Sequence, residues 1–308
     1  MRFPKELQNK DLIGLVAPSS PTSAARTLKC KEFVEKMGYD VILGKSCMKC
    51  LHGYLAGNRY ERAADINEMF TNPQVKGIFC IRGGYGSSEI MDLLDYDRIS
   101  QNPKVFVGYS DITNLNVAFQ TKCDFITFHG PMVSSNMLEH YDDYTKACFF
   151  QALHMKEEFF FHNPQNEPFT TIVHGSAKGI IVGGNLAVFM NLLGTFYAPN
   201  LKGKILFIED INESVPRVHR MLEQLRYLGI FDQIAGILIG DFLDCFNQED
   251  ETFQLIDLVT EFFAQSKIPV VANIRCGHCF PTATIPMVAV CEIDTKRELI
   301  KFSLMEKI

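Results

Sequence analysis

The sequence predicts a two-domain α/β protein, with an N-terminal parallel-sheet (Rossmann-like) domain followed by a β-rich α+β C-terminal domain. From Asp11 to about His154, short apolar runs alternate with amphipathic stretches, which is typical of βαβ units around a parallel sheet. After that point short β-rich segments predominate. The chain has 308 residues, 47% of them hydrophobic, which is long for one ordinary domain and apolar enough to bury a large core.

The first half of the chain contains five apolar runs that predict strands. They cover residues 13–17, 39–43, 75–81, 104–108 and 125–128. The amphipathic patterns between and after them predict helices at residues 24–37, 58–70, 87–94 and 112–120. Gly38 is expected to end the first helix, and Asn58 with Glu61 is expected to cap the second.

Residues 162–168 interrupt this rhythm with two prolines and three amides, and they predict a linker. We therefore expect an N-terminal domain over residues 1–160, a linker over 161–174 and a C-terminal domain over 175–308. Strands of the second domain are predicted at residues 178–182, 204–208, 236–239, 270–273, 287–293 and 299–304. Its helices are predicted at residues 186–193, 215–228 and 253–266.

Charge and composition narrow the classes of partner. The net charge is -6 and no run of Lys or Arg occurs, so neither nucleic acid nor an anionic membrane surface is an expected partner. No stretch approaches the roughly 20 apolar residues of a membrane span, and no signal peptide is evident at the start. The ten cysteines therefore predict reduced thiols in a cytoplasmic protein. A small molecule or a peptide is the expected substrate.

The sharpest local feature is residues 104–113, a buried-looking strand that stops at Gly108-Tyr109-Ser110 and restarts as a helix. A turn of this kind is typical of a nucleophile elbow, which holds a hydroxyl out of the sheet beside a helix N-terminus. The amide of Asp111 would then face a developing oxyanion. Alternatively, Ser110 or Asp111 only caps the helix. The motif also lacks the final glycine of the common Gly-x-Ser-x-Gly form.

A glycine-rich segment, Arg82-Gly83-Gly84-Tyr85-Gly86, also lies between a predicted strand and a predicted helix. Glycines at such a position let backbone amides approach a ligand, so this loop is a candidate for a second oxyanion donor. A nucleotide phosphate loop is the alternative. The glycine spacing of this segment, however, fits neither Gly-x-Gly-x-x-Gly nor a Walker loop.

An acyl-transfer serine requires a histidine base and an orienting carboxylate. His278 lies in a loop marked by Gly277 and Pro281, and His129 in Phe128-His129-Gly130 is the rival base. Either histidine has the alternative of a loop residue bonded to backbone. Glu209 ends an apolar strand and is the candidate carboxylate, although the solvated end of a strand is also often charged. The order Ser110, Glu209, His278 matches one known class of triad.

The cysteines raise the question of a metal site. Cys47 with Cys50 and Cys276 with Cys279 have the ligand types for zinc, but more than two hundred residues separate the two pairs. Buried or incidental thiols explain them more simply. We therefore expect no metal and no cofactor.

Taken together, seven segments resemble the L,D-carboxypeptidase (muramoyltetrapeptide carboxypeptidase) family of serine peptidases, which is related to the microcin-immunity peptidases. The seven segments are Gly14–Ser19, Arg82–Gly86, Gly108–Thr113, His129–Met132, Gly183–Leu186, Leu206–Asp210 and Gly277–His278. They occur in the family's order over nearly the whole chain, which favours the catalytic interpretation of Ser110 over the capping one.

The resemblance implies a role for each matching residue. Ser110 would be the nucleophile, Glu209 the orienting acid and His278 the base. The amides of Asp111 and Gly84 would form the oxyanion hole, in a groove between the two domains. Arg82 is expected to pair with the terminal carboxylate of the substrate, since an arginine binds a carboxylate through two parallel hydrogen bonds. We also expect a homodimer.

The family's usual reaction releases a terminal D-alanine from a peptidoglycan tetrapeptide during cell-wall recycling, and this is the expected activity. An alternative within the family is hydrolysis of an aminoacyl nucleotide amide by the microcin-immunity branch. The resemblance implies that this branch stacks the base on a tryptophan, and this chain contains no Trp. A third possibility, from another class, is a catalytically silent ligand-binding protein on the same scaffold.

Overall fold

The computed structural model describes residues 2–304 and contains two sheets flanked by helices. Its strands are β1 (Leu12–Val16), β2 (Asp40–Leu43), β3 (Val75–Cys80), β4 (Val105–Val107), β5 (Thr127–His129), β6 (Glu158–Phe160), β7 (Thr170–Val173), β8 (Ser176–Asn185), β9 (Ile205–Ile211), β10 (Gly236–Leu243), β11 (Val270–Ala272), β12 (Ile285–Met287), β13 (Val290–Asp294) and β14 (Leu299–Ser303). Its α-helices are α1 (Ala24–Lys36), α2 (Arg59–Thr71), α3 (Tyr96–Gln101), α4 (Thr113–Cys123), α5 (Leu138–His140), α6 (Asp143–Leu153), α7 (Leu186–Leu192), α8 (Val215–Tyr227) and α9 (Leu255–Phe263).

The first sheet has six strands in the order β12-β5-β4-β3-β1-β2. Its strands β1 to β5 run parallel, as the alternation of apolar and amphipathic segments predicts. The strand order reverses between β1 and β3, and ligands of open α/β sheets bind at the carboxyl ends of strands beside such a reversal. The segments that follow β1, β3 and β4 are therefore brought to one edge of the sheet.

The second sheet has eight strands in the order β6-β14-β13-β8-β9-β10-β11-β7. Its centre, β8 to β11, is parallel, whereas the outer strands pair antiparallel. This mixed sheet with its helices is the α+β architecture expected for the second half. The predicted fold class is confirmed.

One strand predicted in the second half joins the first sheet instead. The single predicted strand at residues 287–293 is two strands, β12 and β13, which separate at Val288 with its positive φ of 74°. β12 pairs antiparallel with β5, and β13 pairs with β8 and β14 in the other sheet. The two sheets are thus connected by continuous chain beyond the predicted linker.

The predicted linker, residues 161–174, contains β7, which pairs antiparallel with β11 at the edge of the second sheet. Just before it, β6 pairs with β14 of the same sheet. Along β6 and the residue after it, Phe159 and Phe161 are buried and Phe160 is exposed, which is the alternation expected of a strand. The prolines and amides therefore lie between two strands of the second sheet, β6 and β7, and the chain leaves the first sheet before it reaches them.

The helices differ from prediction mainly in extent and type. Residues 87–94 form a 3₁₀ helix, Ser87–Leu93, in place of the expected α-helix. The sequence interpretation missed α3, α5 and α6 altogether. The predicted cap of α2 is confirmed, because Asn58 accepts from the amide of Glu61 and the Glu61 side chain accepts from the amide of Asn58.

A short joint connects the two sheets behind the elbow. Gly184, with φ of 137°, lies so close to Thr113 that a Cβ atom added there would be 2.6 Å from Oγ1. The same Thr113 hydroxyl accepts a hydrogen bond of 3.1 Å from the amide of Asn185. α4 begins at Thr113 and β8 ends at Asn185. This contact therefore fixes the segment after Ser110 against the end of β8, which pairs with β9.

Among residues 2–304, no helix is both long and apolar enough to cross a bilayer.

Candidate active site

Ser110 occupies a sharp turn between β4 and α4. Its backbone has φ of 62°, a left-handed conformation that side chains other than glycine rarely adopt, and the 3₁₀ turn Ser110–Ile112 leads directly into α4. Gly108 permits this turn because a Cβ there would lie 2.8 Å from a methyl carbon of Ile112. A strained residue between strand and helix is the geometry of a nucleophile elbow.

Glu209 and His278 form a hydrogen-bonded pair near this turn. His278 Nδ1 lies 2.7 Å from Glu209 Oε2. The Glu209 side chain has no exposed surface, and that of His278 is 11% exposed. Because Nδ1–H donates to the carboxylate, the lone pair of Nε2 is left for a proton-transfer partner.

Two glycines make room for the pair. A Cβ on Gly277 would lie 2.5 Å from Glu209 Oε2, and a Cβ on Gly240 would lie 2.9 Å from Glu209 Cβ. Gly277 also has φ of 118°, which disfavours any other residue. The chain therefore passes over the carboxylate at a distance that only glycine allows.

Nearby carboxylates make His278 more basic than an ordinary histidine. Burial by itself would lower the pKa of His278, but the Glu209 carboxylate, by charge and hydrogen bond, with Asp210 and Asp241 farther away, raises that pKa above its usual value. Histidine is thus a strong enough base to accept a proton near neutral pH.

One cleft of about 620 Å³ brings most of the predicted residues together. Its walls include Ser110, His278, the glycine loop and side chains of neighbouring segments. The lining residues are Thr22, Arg26, Arg82, Gly83, Gly84, Tyr109, Ser110, Met132, Ser134, Ser135, Glu139, Ile211, Asn212 and His278. The ring of Tyr109, adjacent to the elbow, packs on His278 with centroids 4.8 Å apart. Ser110 and His278 therefore face the same space, with Glu209 behind His278.

The side chain of Asp111 has a structural role next to the elbow. Its Oδ2 accepts hydrogen bonds from Ser19 Oγ at 2.6 Å and from the Ser87 amide at 2.8 Å. Ser87 Oγ in turn donates to the Asp111 carbonyl at 2.6 Å. These contacts join the segments after β1, β3 and β4, while the Asp111 amide makes no hydrogen bond within the described chain.

The glycine loop lies directly against Ser110. A Cβ on Gly83 would lie 3.2 Å from Ser110 Oγ and 3.3 Å from the Asp111 nitrogen. The Gly83 carbonyl accepts from the Ser20 amide at 3.2 Å. Because C=O and N–H of a trans peptide point in opposite directions, the amide of Gly84 points away from that bond. Gly84 lines the cleft and its φ is 105°.

A buried arginine that sequence reasoning missed holds this loop in place. Arg62 of α2 has no exposed surface, and its guanidinium donates to the carbonyls of Pro18, Gly57 and Gly86 and pairs with Glu89. A signal was present in the sequence, because Arg62 lies four residues before Ile66 on the apolar face of an amphipathic helix. An arginine at such a position must be satisfied by polar partners inside the fold.

The two arginines of the cleft differ in the hydrogen bonds and ion pairs that they make with other residues. The guanidinium of Arg26 binds Ser134 Oγ at 2.7 Å and Glu139 Oε1 at 2.7 Å. Arg82 is exposed and donates only to the Pro21 carbonyl, at 3.3 Å, and no carboxylate of residues 2–304 lies within 4.0 Å of it. Arg82 therefore retains donors for a ligand. Sequence reasoning did not single out Arg26, Ser134 or Glu139.

His129, the rival base, is enclosed in the core. Its side chain is 1% exposed and it does not line the cleft. Burial lowers the pKa of His129 to about 4, although Glu209 opposes that effect. Its Nε2 lies 3.8 Å from Glu209 Oε1. A neutral ring behind the carboxylate is poorly placed to take a proton from a cleft hydroxyl.

The cysteine pairs do not form a cluster. Burial raises the pKa of Cys279 to about 12 and that of Cys276 well above the usual value. Within residues 2–304, no group of three or more His, Cys, Asp or Glu side chains is arranged to hold a metal ion.

Comparison with known proteins agrees with this architecture. Residues 13–130 match the LD-carboxypeptidase N-terminal domain and residues 178–293 match the LD-carboxypeptidase C-terminal domain. A probable murein peptide carboxypeptidase of Bacillus subtilis is 37% identical over 294 residues, which cover 95% of this chain and 91% of that protein.

Two further relatives have known folds. The microcin C7 self-immunity protein MccF of Escherichia coli is 30% identical over 92% of this chain and 90% of its own. A structure of MccF in complex with glutamyl sulfamoyl guanosine superposes with a TM-score of 0.91, at 27% identity and 98% coverage of both chains. The muramoyltetrapeptide carboxypeptidase of Oxalobacter formigenes superposes with a TM-score of 0.82, at 27% identity, over 94% of this chain and 97% of that one.

Matches to both domains in order, together with a 37% identical relative aligned over nearly the whole length, establish that this chain belongs to the LD-carboxypeptidase family of peptidases.

Proposed function

We propose that the protein is a serine L,D-carboxypeptidase that releases the terminal D-alanine from peptidoglycan tetrapeptides in cell-wall recycling, with Ser110, Glu209 and His278 as its triad. One observation carries the proposal: the His278–Glu209 hydrogen bond of 2.7 Å lies at the wall of the cleft that Ser110 also lines. The names of the B. subtilis and O. formigenes relatives support the substrate class.

In the proposed mechanism, His278 Nε2 takes the proton of the Ser110 hydroxyl as Oγ attacks the carbonyl of the scissile bond. The Glu209 carboxylate keeps the proton of the ring on Nδ1 and stabilises the imidazolium that forms. His278 then gives its proton to the nitrogen of the leaving D-amino acid. Water, activated by the same histidine, releases the acyl group from Ser110.

The oxyanion hole is assigned to the amides of Asp111 and Gly84. The Asp111 amide lies at the start of α4, where the helix N-terminus favours negative charge. The contact of Gly83 with both Ser110 Oγ and the Asp111 nitrogen supports the assignment, because it brings the loop within reach of the same carbonyl oxygen. The turned-away amide of Gly84 supplies the second donor.

Arg82 is assigned to the terminal carboxylate of the substrate. A carboxypeptidase must recognise the terminal carboxylate of its substrate, and a guanidinium can form two parallel hydrogen bonds with it. Arg26 is the other cation of the cleft, but its Nε and Nη2 already bind Ser134 and Glu139. The Arg82 guanidinium, which makes only the long contact with the Pro21 carbonyl, therefore favours this assignment.

The second candidate function is hydrolysis of an aminoacyl nucleotide amide. The similarity to MccF, including its complex with glutamyl sulfamoyl guanosine, favours it. The absence of Trp from the chain favours the tetrapeptide instead, because a base would have to stack on Tyr or Phe.

A comparison of stereoisomers tests the proposal. The cleft must fit a D-residue beside the oxyanion hole, and an L-alanine would turn its methyl group or carboxylate away from its place. A misplacement of about 1 Å costs roughly a hundredfold in rate, so we expect kcat/KM for the tetrapeptide ending in D-alanine to exceed that for its L-alanine isomer by at least about two orders of magnitude. Equal rates would exclude the L,D-carboxypeptidase assignment and leave a general serine peptidase.

A parallel assay separates the remaining candidates. An aminoacyl sulfamoyl nucleoside cleaved faster than the tetrapeptide would favour the microcin-type activity. Failure of a fluorophosphonate to label Ser110 would favour a catalytically silent ligand-binding protein. We also propose a cytoplasmic homodimer, which light scattering of the purified protein and cell fractionation test directly.

A further inference from the structure

A second histidine lies on the far side of the triad carboxylate. Glu209 uses Oε2 for His278, and its other oxygen, Oε1, faces His129 Nε2 at 3.8 Å. Neither Oε1 nor Nε2 has a hydrogen-bond partner within the described chain. Both side chains are nearly or fully buried, at 0% and 1% exposure. A buried carboxylate oxygen and a buried ring nitrogen without partners are each costly.

The surroundings of Glu209 leave His129 as its second donor. Gly277 and Gly240 approach the carboxylate so closely that a Cβ on either would clash with it. Among the basic groups of residues 2–304, only His278 and His129 lie within 4.0 Å of the Glu209 oxygens. The gap of 3.8 Å exceeds a hydrogen bond by less than 1 Å, so a small rotation of either side chain is enough to form one.

The position of His129 is set by rings on both sides. It packs edge-on against Phe207 of β9, with centroids 5.2 Å apart, and against Tyr109 at 5.6 Å. Tyr109 packs in turn on His278. His129 also ends β5, which pairs with β4 in front of the elbow and with β12 on the other side. The ring therefore has little freedom except toward the carboxylate.

We propose that His129 is a positioning residue of the catalytic machinery: it stays neutral, carries its proton on Nε2 and donates it in a hydrogen bond to Glu209 Oε1 when a small movement of the two side chains closes the gap between them. The inference rests on the proposed triad and deepens it. Glu209 would then be held through both oxygens, by His278 in front and His129 behind. Burial, which lowers the pKa of His129 to about 4, keeps this ring a donor without adding a second positive charge.

The consequence is a shift of the pH profile when the donor is removed. Without a donor at Oε1 the Glu209 anion is less stabilised, so the Glu209–His278 pair binds its proton more tightly and its apparent pKa rises. The neutral base is then lost at a higher pH than in the wild type. A carboxylate held by one oxygen only also orients His278 less well, which lowers the rate even at high pH.

Other ionisable groups face the pair and stay unchanged in the test. Asp210 and Asp241 contribute negative charge, with Asp244 beside Asp241, and Arg275 binds Asp241 at 2.8 Å. Burial raises the pKa of the neighbouring phenol and thiols, which are Tyr109, Cys245, Cys276 and Cys279. A shift seen on substitution of His129 therefore reports the contact with Glu209.

The experiment measures the rate of Ser110 labelling by a fluorophosphonate from pH 5 to pH 9, because this reaction needs the triad but not the natural substrate. His129→Leu keeps most of the volume and removes the donor, and His129→Gln places an amide N–H near the position of Nε2. We expect His129→Leu to label about 10- to 100-fold more slowly, with its acidic limb moved up by about half a pH unit or more. His129→Gln should recover most of the rate and the wild-type limb.

Thr127→Val is the matched control. Thr127 lies two residues earlier in β5, is fully buried, and its hydroxyl has no partner within the described chain, so this variant perturbs the same strand without touching Glu209. It should label like the wild type. Equal rates and limbs in His129→Leu and the wild type overturn the inference. So does an equal loss in His129→Leu and His129→Gln without a shift of the limb, which assigns His129 to packing alone.

The same assay separates this inference from the proposed function. A wild-type protein that labels at Ser110 but does not cleave the tetrapeptide refutes the substrate and leaves the His129 experiment valid. A wild-type protein that does not label refutes the triad, and the role of His129 with it.

Discussion

Glu209 Oε2 and His278 Nδ1 are 2.7 Å apart although 69 residues separate them in the chain. Glu209 belongs to the parallel centre of the second sheet, and His278 follows β11, two strands away in the same sheet. Ser110, by contrast, follows a strand of the first sheet. The proposed triad is therefore assembled across the joint between the sheets.

Ser110→Ala should fold like the wild type and lose turnover by roughly 10⁴- to 10⁶-fold, because the residues of a triad act as one unit. Ser135→Ala, in the same cleft, removes a hydroxyl that donates to Asn136 and should retain far more activity. Steady-state hydrolysis of the tetrapeptide, with circular dichroism to check folding, measures both. Near-wild-type turnover of Ser110→Ala would assign the nucleophile to another residue.

The pH profile should reflect the raised pKa of His278. The base acts only when neutral, so kcat/KM should rise with pH and reach half its plateau above pH 6.5, the ordinary value for histidine. Glu209→Gln removes the charge that raises this pKa and leaves the burial that lowers it. The half-point should then fall below that of the wild type, with the plateau reduced roughly 10³- to 10⁴-fold.

The measurement is kcat/KM against pH for both proteins, from the same buffers and at constant ionic strength. An identical half-point in the wild type and in Glu209→Gln would show that the limb belongs to another group.

Gly277→Ala should disconnect the pair. The new Cβ would lie 2.5 Å from Glu209 Oε2 on a backbone with φ of 118°, so either the carboxylate or the His278 loop must move. We expect kcat to fall by at least about a hundredfold, because a displacement of about 1 Å at the reacting groups has that effect.

Gly194→Ala is the control for backbone strain alone. Its φ of 85° is also unfavourable for alanine, but no atom lies within 4 Å of the added Cβ. It should lose about 1 kcal/mol of stability and keep its kcat. Similar kcat values for the two variants would contradict the close approach of Gly277 to Glu209.

Arg62→Leu should destabilise the protein by about 3–5 kcal/mol, because it leaves Glu89 and three backbone carbonyls without their buried partner. Arg59→Leu, on the same helix, removes the more exposed pair with Asp92 and a contact with the exposed Tyr60 ring, and it should cost about 1 kcal/mol or less. Urea denaturation measures both free energies of unfolding. Equal losses would show that burial of Arg62 does not matter.

Local features of the sequence were sufficient for much of this protein. The alternation of apolar and amphipathic segments predicts β1 to β5 and the helices α1, α2 and α4, because each element's periodicity is written in adjacent residues. The turn at Gly108-Tyr109-Ser110 is recognisable for the same reason, since a strand end and a helix start are both local signals. The resemblance of seven ordered segments identified the family, which the comparisons confirm.

The tertiary structure alone decided what depends on contacts between distant segments. Whether residues 287–293 form one strand or two is settled by their partners, because β5 and β8 lie in different sheets and Val288 must turn between them. The burial of Arg62 depends on carbonyls from three separate loops. Residue type and loop position alone leave His129 as a rival to His278, and the structure separates them because packing encloses His129 behind Glu209 and leaves His278 facing the cleft.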